Sequence, residues 1–141
     1  MTVGADVFLD TNILMYAAQG RAAEPRKYEI ARRIVIEENY ATSGQVLAEF
    51  YYNVIKKGAR PLTPEKAAEW VQTIAKKPCQ PVDSQVVSAG IKMSQRYEIS
   101  YWDGAILAAA ERLGAKIMYT EDLNNGQLYG SVRVINPFVS P

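Results

Sequence analysis

The chain alternates between short apolar runs and longer stretches whose apolar positions recur every three or four residues. The first run, Val7-Phe8-Leu9, is continuous, the pattern of a central strand buried on both faces. It stops at Asp10, and Asn12 stands as the expected N-cap of a short helix to about Ala18, ended by Gly20. A second helix is predicted from Pro25, with Tyr28, Ala31, Ile34 and Val35 at helical spacing. Tyr40-Ala41-Thr42 predicts a short strand, and Ser43-Gly44 leads into a helix from Gln45 to Lys57, closed by Gly58. That helix buries Leu47, Phe50 or Tyr51, and Val54, with Gln45, Glu49 and Asn53 as a polar stripe beside them.

Thr63-Pro64-Glu65 supplies a cap, a proline at the first helical position and an acid near the positive end of the helix dipole. The helix it opens buries Ala67, Trp70 or Val71, and Ile74, and Trp70 is a core residue rather than a stacking platform. After Lys76-Lys77-Pro78 an extended piece runs from Cys79 to Val82. Asp83 caps a helix to about Arg96, with Val86, Gly90 and Met93 inward, and Ser100 opens another to Leu113, stopped by Gly114. Lys116-Ile117-Met118-Tyr119 is a fourth strand, Asn124-Asn125-Gly126 a loop, and Val132-Arg133-Val134-Ile135 a last edge strand. Strands alternating with helices predict an α/β fold, a mostly parallel central sheet of four to five strands.

Composition narrows the chemistry. With 141 residues, 48% of them hydrophobic and 22% charged, the expectation is one globular domain spanning 1–141. No apolar run approaches the roughly 20 residues of a membrane helix, and Met1 to Asp6 lack a basic segment followed by an apolar one. Cys79 is the only cysteine, which fits a cytoplasmic protein without internal disulfides. There is no histidine at all, which removes imidazole catalysis, His-based triads and most zinc sites. Phosphate-binding glycine loops are missing too. The net charge of +1, from 16 basic and 15 acidic residues, gives no global attraction for nucleic acid, so such binding must rest on a local patch or on a metal. Arg26, Lys27, Arg32 and Arg33 form either a solvated helix face or such a patch.

Carboxylates remain. In a parallel α/β sheet, crossover helices begin at the edge where strands end. Asp10 and Asp122 terminate strands, Glu49 lies in the second turn of a helix that follows a strand, and Asp103 in the first turn of its own. All four are therefore expected on the sheet edge where open α/β folds bind ligands. Ser100-Tyr101-Trp102-Asp103 also fits a capping box, so Asp103 has an ordinary helix-capping role available. Its position three and four residues before Ile106 and Leu107 puts it on the inward stripe instead. Gathering such acids opposes folding by about 3 kcal/mol per close pair at ~5 Å and an effective dielectric of about 20. A divalent cation is the natural counter-charge, and oxygen-only ligands favour magnesium or manganese over zinc.

Asp10-Thr11-Asn12, Glu49 within Ser43-Gly44-Gln45-Val46-Leu47-Ala48-Glu49-Phe50, Trp102-Asp103, and Thr120-Glu121-Asp122-Leu123 resemble the ordered acidic signature of PIN-domain ribonucleases. The stretch from Tyr119 to Gln127 is similar to the VapC-like toxins of bacterial toxin–antitoxin pairs, and the likeness extends from about Val7 to Phe138. It implies a three-layer α/β/α fold and a magnesium- or manganese-dependent endoribonuclease. Asp10, Glu49, Asp103 and Asp122 would be its catalytic and metal-holding residues, with Asn12, Ser43 and Thr120 in support and Glu121 able to assist. It further implies an RNA substrate such as tRNA or rRNA, a homodimer, and a small antitoxin that occupies the groove. Three other readings compete. An aspartyl phosphatase wants a second acid two residues after the first, where this chain has Asn12. A housekeeping nuclease of RNA processing, or a non-catalytic module receiving a basic peptide, would use the same acidic groove.

Overall fold

The computed structural model describes residues 5–58 and 60–139. The first four residues, where part of the targeting-signal reading falls, and the last two of the 1–141 span lie outside the described residues. In order the chain forms β1 (Val7–Leu9), α1 (Thr11–Gln19), α2 (Pro25–Glu37), β2 (Tyr40–Ser43), α3 (Gly44–Val54) and α4 (Pro64–Ile74). β3 (Cys79–Gln80), α5 (Ser84–Tyr97), α6 (Tyr101–Arg112), β4 (Ile117–Tyr119), β5 (Leu128–Tyr129) and β6 (Val132–Ile135) follow. The strands make a six-stranded sheet in the order β3-β2-β1-β4-β6-β5, parallel except for β5 against β6, within a three-layer α/β/α arrangement.

β1 is central because Val7, Phe8 and Leu9 have no polar face to offer water, and all three are buried. It pairs with β2 on one side and β4 on the other, so Phe8 sits opposite both Ala41 and Met118. The chain leaves β1 for β2 and β3 in one direction and reaches β4 in the other. The switch point therefore lies at the carboxyl ends of β1 and β4, where a crevice opens.

Several sequence expectations shift. The N-cap of α1 is Asp10, not Asn12: Asp10 keeps an extended backbone and its carboxylate accepts from the Thr11 N–H at 2.7 Å. Strand gives way to helix with no spacer, which leaves Asn12 inside the first turn. α3 ends at Val54, three residues before Lys57, since the Lys56 and Lys57 N–H groups turn back to the Asn53 carbonyl. Its buried stripe is Val46, Phe50 and Val54, with Leu47 only partly covered. β6 is not the edge, because the two-residue strand β5 folds back on it through Gly130-Ser131. So brief a strand leaves no periodicity to read, yet its Tyr129 is 2% exposed.

α6, the most deeply buried helix, carries an unbroken run from Gly104 to Ala110. It lies tight against α5, where Gly90 and Gly104 let the two backbones meet: a Cβ on Gly104 would stand 2.6 Å from the Gly90 carbonyl oxygen. Among the described residues no helix is long and apolar enough to cross a membrane.

Candidate active site

At the carboxyl edge of the sheet a cleft of about 300 Å³ is lined by Asp10, Glu49, Asp103 and Asp122, with Thr11, Asn12, Met15, Asn53 and Ile106. No lysine or arginine is among the lining residues. The four acids come from four different elements or their ends, and the α/β topology alone brings them together.

Asp10 is the buried member, 5% exposed. One carboxylate oxygen takes the Thr11 N–H and the other takes the Thr120 hydroxyl at 2.8 Å. Burial pushes its pKa from 3.8 up to about 7; the bonds from Thr120 and Thr11 hold it back, and the charges of Asp122 and Glu49 add to the rise. Thr120 is itself fully buried at the end of β4. Its oxygen accepts from the Asn12 side-chain amide and from the Asp122 N–H, both at 3.1 Å, so its single proton is left to point at Asp10. The same Asn12 amide nitrogen donates to the Asp122 carboxylate at 3.1 Å.

Glu49 is held from two sides, by the Thr11 hydroxyl at 2.9 Å and the Gln45 amide at 3.1 Å. Gln45 also reaches the Trp102 carbonyl at 3.1 Å, linking α3 to the first turn of α6. In that turn the Ser100 hydroxyl oxygen accepts from the Asp103 N–H at 3.1 Å, the serine half of the predicted capping box. The Asp103 carboxylate nonetheless borders the cleft. Its pKa is raised first by burial and then by Asp122 and Glu49. Asp10 and Asp103 thus feel the same two neighbours, the mark of a shared field of negative charge.

The remaining predicted residues stand further back. Ser43, 1% exposed, caps α3 by accepting from the Val46 N–H at 3.2 Å and does not line the cleft. Glu121 turns away, taking the Tyr16 hydroxyl at 2.5 Å and the Lys27 ammonium at 2.9 Å. Lys27 is accordingly not part of a free basic patch, and Arg26 is occupied with the Phe138 carbonyl at 2.6 Å. Thr11 and Gln45, which hold Glu49, stand outside the predicted site residues. Gln45 carries a signal, four residues before Glu49 on one helical stripe, whereas Thr11 carries none beyond its place between Asp10 and Asn12.

The donor set suits a hard cation: every candidate ligand is oxygen, and no histidine exists in the chain. The Asn12 Oδ1 is buried without a hydrogen-bond partner, an orphan acceptor such as a hydrated ion satisfies. No three acids among the described residues are gathered tightly enough to cage one ion by themselves.

The sequence pattern of one family, described as the PIN domain, matches residues 7–128. No curated protein matches the chain by sequence. Among solved structures the fold is similar to VapC20 of Mycobacterium tuberculosis, a sarcin–ricin loop cleaving toxin: 16% identity, TM-score 0.66, covering 82% of this chain and 91% of that one. It is also similar to a toxin–antitoxin complex from Klebsiella pneumoniae, with 18% identity, TM-score 0.68, and 93% and 97% of the two chains covered. A third likeness is to VapBC2 of Rickettsia felis bound to a promoter DNA fragment, with 18% identity, TM-score 0.61, and coverage of 91% and 96%.

Proposed function

Because the chain belongs to the PIN-domain family, we propose that it is a magnesium- or manganese-dependent endoribonuclease and the toxin of a type II toxin–antitoxin pair. The observation that carries this reading is the cleft itself, in which Asp10, Glu49, Asp103 and Asp122 converge with no cation of the protein's own to balance them. Those four acids hold the metal, with Asn12 and Thr120 in support; Ser43 positions α3, and Glu121 anchors the rim. When bound, the ion supplies an activated water and charge stabilisation at the scissile phosphodiester.

The chain's own residues prepare that chemistry. Thr11 and Thr120 fix both oxygens of Asp10, so the carboxylate meets its partner without reorganising. Gln45 and the Thr11 hydroxyl do the same for Glu49, and Asn12 for Asp122. Since burial lifts the Asp10 pKa to about 7, the protonated part of the population must release a proton there to take up a cation at neutral pH. In this reading the substrate is a structured RNA such as tRNA or rRNA and the active species a homodimer in the cytoplasm. A small antitoxin silences it by occupying the groove, a reading supported by the toxin–antitoxin complexes that share the fold.

Purified protein incubated with total bacterial RNA tests this. Discrete cleavage products are expected with magnesium or manganese, none in EDTA, and none from Asp10→Asn or Asp103→Asn variants that melt cooperatively. Expression of the chain alone should slow bacterial growth, and the same substitutions should relieve it. Cleavage by Asp103→Asn at the wild-type rate would sink the site assignment; growth unaffected by soluble protein would sink the toxin role.

A further inference from the structure

Without a cation the acid cleft repels its proposed substrate, since four carboxylates face a phosphodiester chain, and the net charge of +1 provides no long-range pull. A local source of attraction lies next to it. Beside the cleft lies a hollow of about 440 Å³, with Asn12 and Met15 in the walls of both. A second hollow of about 440 Å³ shares Gln19 with the first. Together they form a groove between the α1–α2 turn and the loop that follows α3. Lys57 lines the first part, and Arg21 and Arg60 the second. All three are exposed, and none forms an ion pair among the described residues. Against them stands the carboxylate of Glu24, since Glu121 is already neutralised by Lys27.

The basic rim is built rather than incidental. The Gln19 amide at the end of α1 donates to the Lys57 carbonyl at 2.8 Å, with the Arg60 carbonyl at 3.4 Å and the Val54 carbonyl at 3.5 Å from the same nitrogen. Gly58, at φ +92°, lies against this amide, where a Cβ would meet its nitrogen at 2.7 Å. One side chain therefore fixes the backbone that presents Lys57 and Arg60, while their side chains remain free.

We propose that this groove binds the sugar–phosphate backbone of the RNA strand as it leaves the cleft, with Arg21, Lys57 and Arg60 contacting phosphates. The inference rests on the nuclease reading and names where its substrate is held. Three exposed cations without ion-pair partners among the described residues, set beside the acids, suit a polyanion's phosphates, while Met15, Tyr16 and Leu62 give its sugars and bases apolar walls.

The test is the binding of a 5′-labelled, mixed-sequence, single-stranded 12-mer RNA to the full chain in EDTA, followed by fluorescence anisotropy across a salt series. The combined variant Arg21→Gln/Lys57→Gln/Arg60→Gln should bind at least tenfold more weakly. Its slope of log affinity against log salt should be smaller by about 2, at about 0.7 per phosphate contact on a single strand. A control with the same change in charge, Lys66→Gln/Lys76→Gln/Lys92→Gln, should leave slope and affinity within twofold of wild type. Equal losses in both variants would mean general electrostatics and overturn the proposal. So would wild-type RNA affinity in the groove variant, including the case where that variant has lost only antitoxin binding, which would make the groove a protein site. Cleavage by the wild type in magnesium, run in parallel, separates the two readings: intact cleavage with an unaffected groove variant removes the groove alone, and no cleavage removes the nuclease as well.

Discussion

Asp10 makes the sharpest energetic prediction. Its pKa stands at about 7 in the fold against an ordinary 3.8, mainly because the carboxylate is buried. At about 1.4 kcal/mol per pH unit, ionising it in the folded protein opposes stability by roughly 4 kcal/mol. Between those two values the native state binds more protons than the unfolded chain, so stability falls as pH rises. The loss begins above pH 3.8 and is complete above about 7. Asp10→Asn removes the charge, but not freely. The Thr120 oxygen already accepts two donors, so an amide nitrogen brought to it meets no lone pair. That mismatch costs about 1–3 kcal/mol at every pH. The two terms cross. In EDTA the wild type should be the more stable protein at pH 4, and the variant the more stable at pH 8, there by about 1–3 kcal/mol. Urea unfolding of both proteins in EDTA at half-unit pH steps measures this, and the informative quantity is the difference in slope. Magnesium at a hundredfold excess over Kd should return roughly 2.7 kcal/mol to the wild type at pH 8 and clearly less to the variant. Parallel pH curves for the two proteins would show that Asp10 ionises in the fold without penalty, and the account of a repulsive, cation-demanding site would fail.

Three further outcomes follow from the geometry. Thr120→Val, which removes the hydroxyl that joins Asp10, Asn12 and Asp122, should weaken magnesium binding by about 10–100-fold, read by calorimetry, with the sheet intact. Gly104→Ala forces a methyl against the Gly90 carbonyl and should lower stability by about 1–3 kcal/mol in urea unfolding. Lys27→Met leaves Glu121 and Tyr16 without their cation. The Lys27 pKa is held up at about 12, chiefly by its bond to Glu121, so this pair's contribution is whole below pH 10.5 and gone above about 12. At pH 7 the variant should be about 1 kcal/mol less stable, the pair being partly exposed.

Much of the site was legible in the chain because its acids sit at boundaries between elements, and boundaries carry strong local signals. Asp10 ends a continuous apolar run, and Asp103 follows a serine cap, so the fold class placed both on one edge. Glu49 was harder. A helical stripe is ambiguous by one position, and the shift from Leu47 to Val46 as the buried residue decides where Glu49 faces. The helix start at Asp10 rather than Asn12 escaped for a related reason: an acid serving at once as strand end, cap and cleft wall looks like a turn residue. Glu121 and Asp122 are adjacent and chemically alike, and only tertiary contacts separate them, since Lys27 lies 94 residues from the acid it neutralises. β5 was invisible because two residues make no pattern.

The bond between Thr120 and Asp10 spans 110 residues of sequence, as does the one between Asn12 and Asp122. Both exist because β4 lies beside β1, and β4 is among the last strands made. During synthesis Asp10 and Glu49 leave the ribosome well before the element that completes their wall, and Asp103 shortly before it. Until β4 is in place Asp10 lacks the Thr120 hydroxyl that holds one of its oxygens. A chain cut short before Ile117 contains three of the four acids and no cleft to put them in. On the proposed nuclease reading, the machinery making the chain works beside an incomplete site until β4 has emerged.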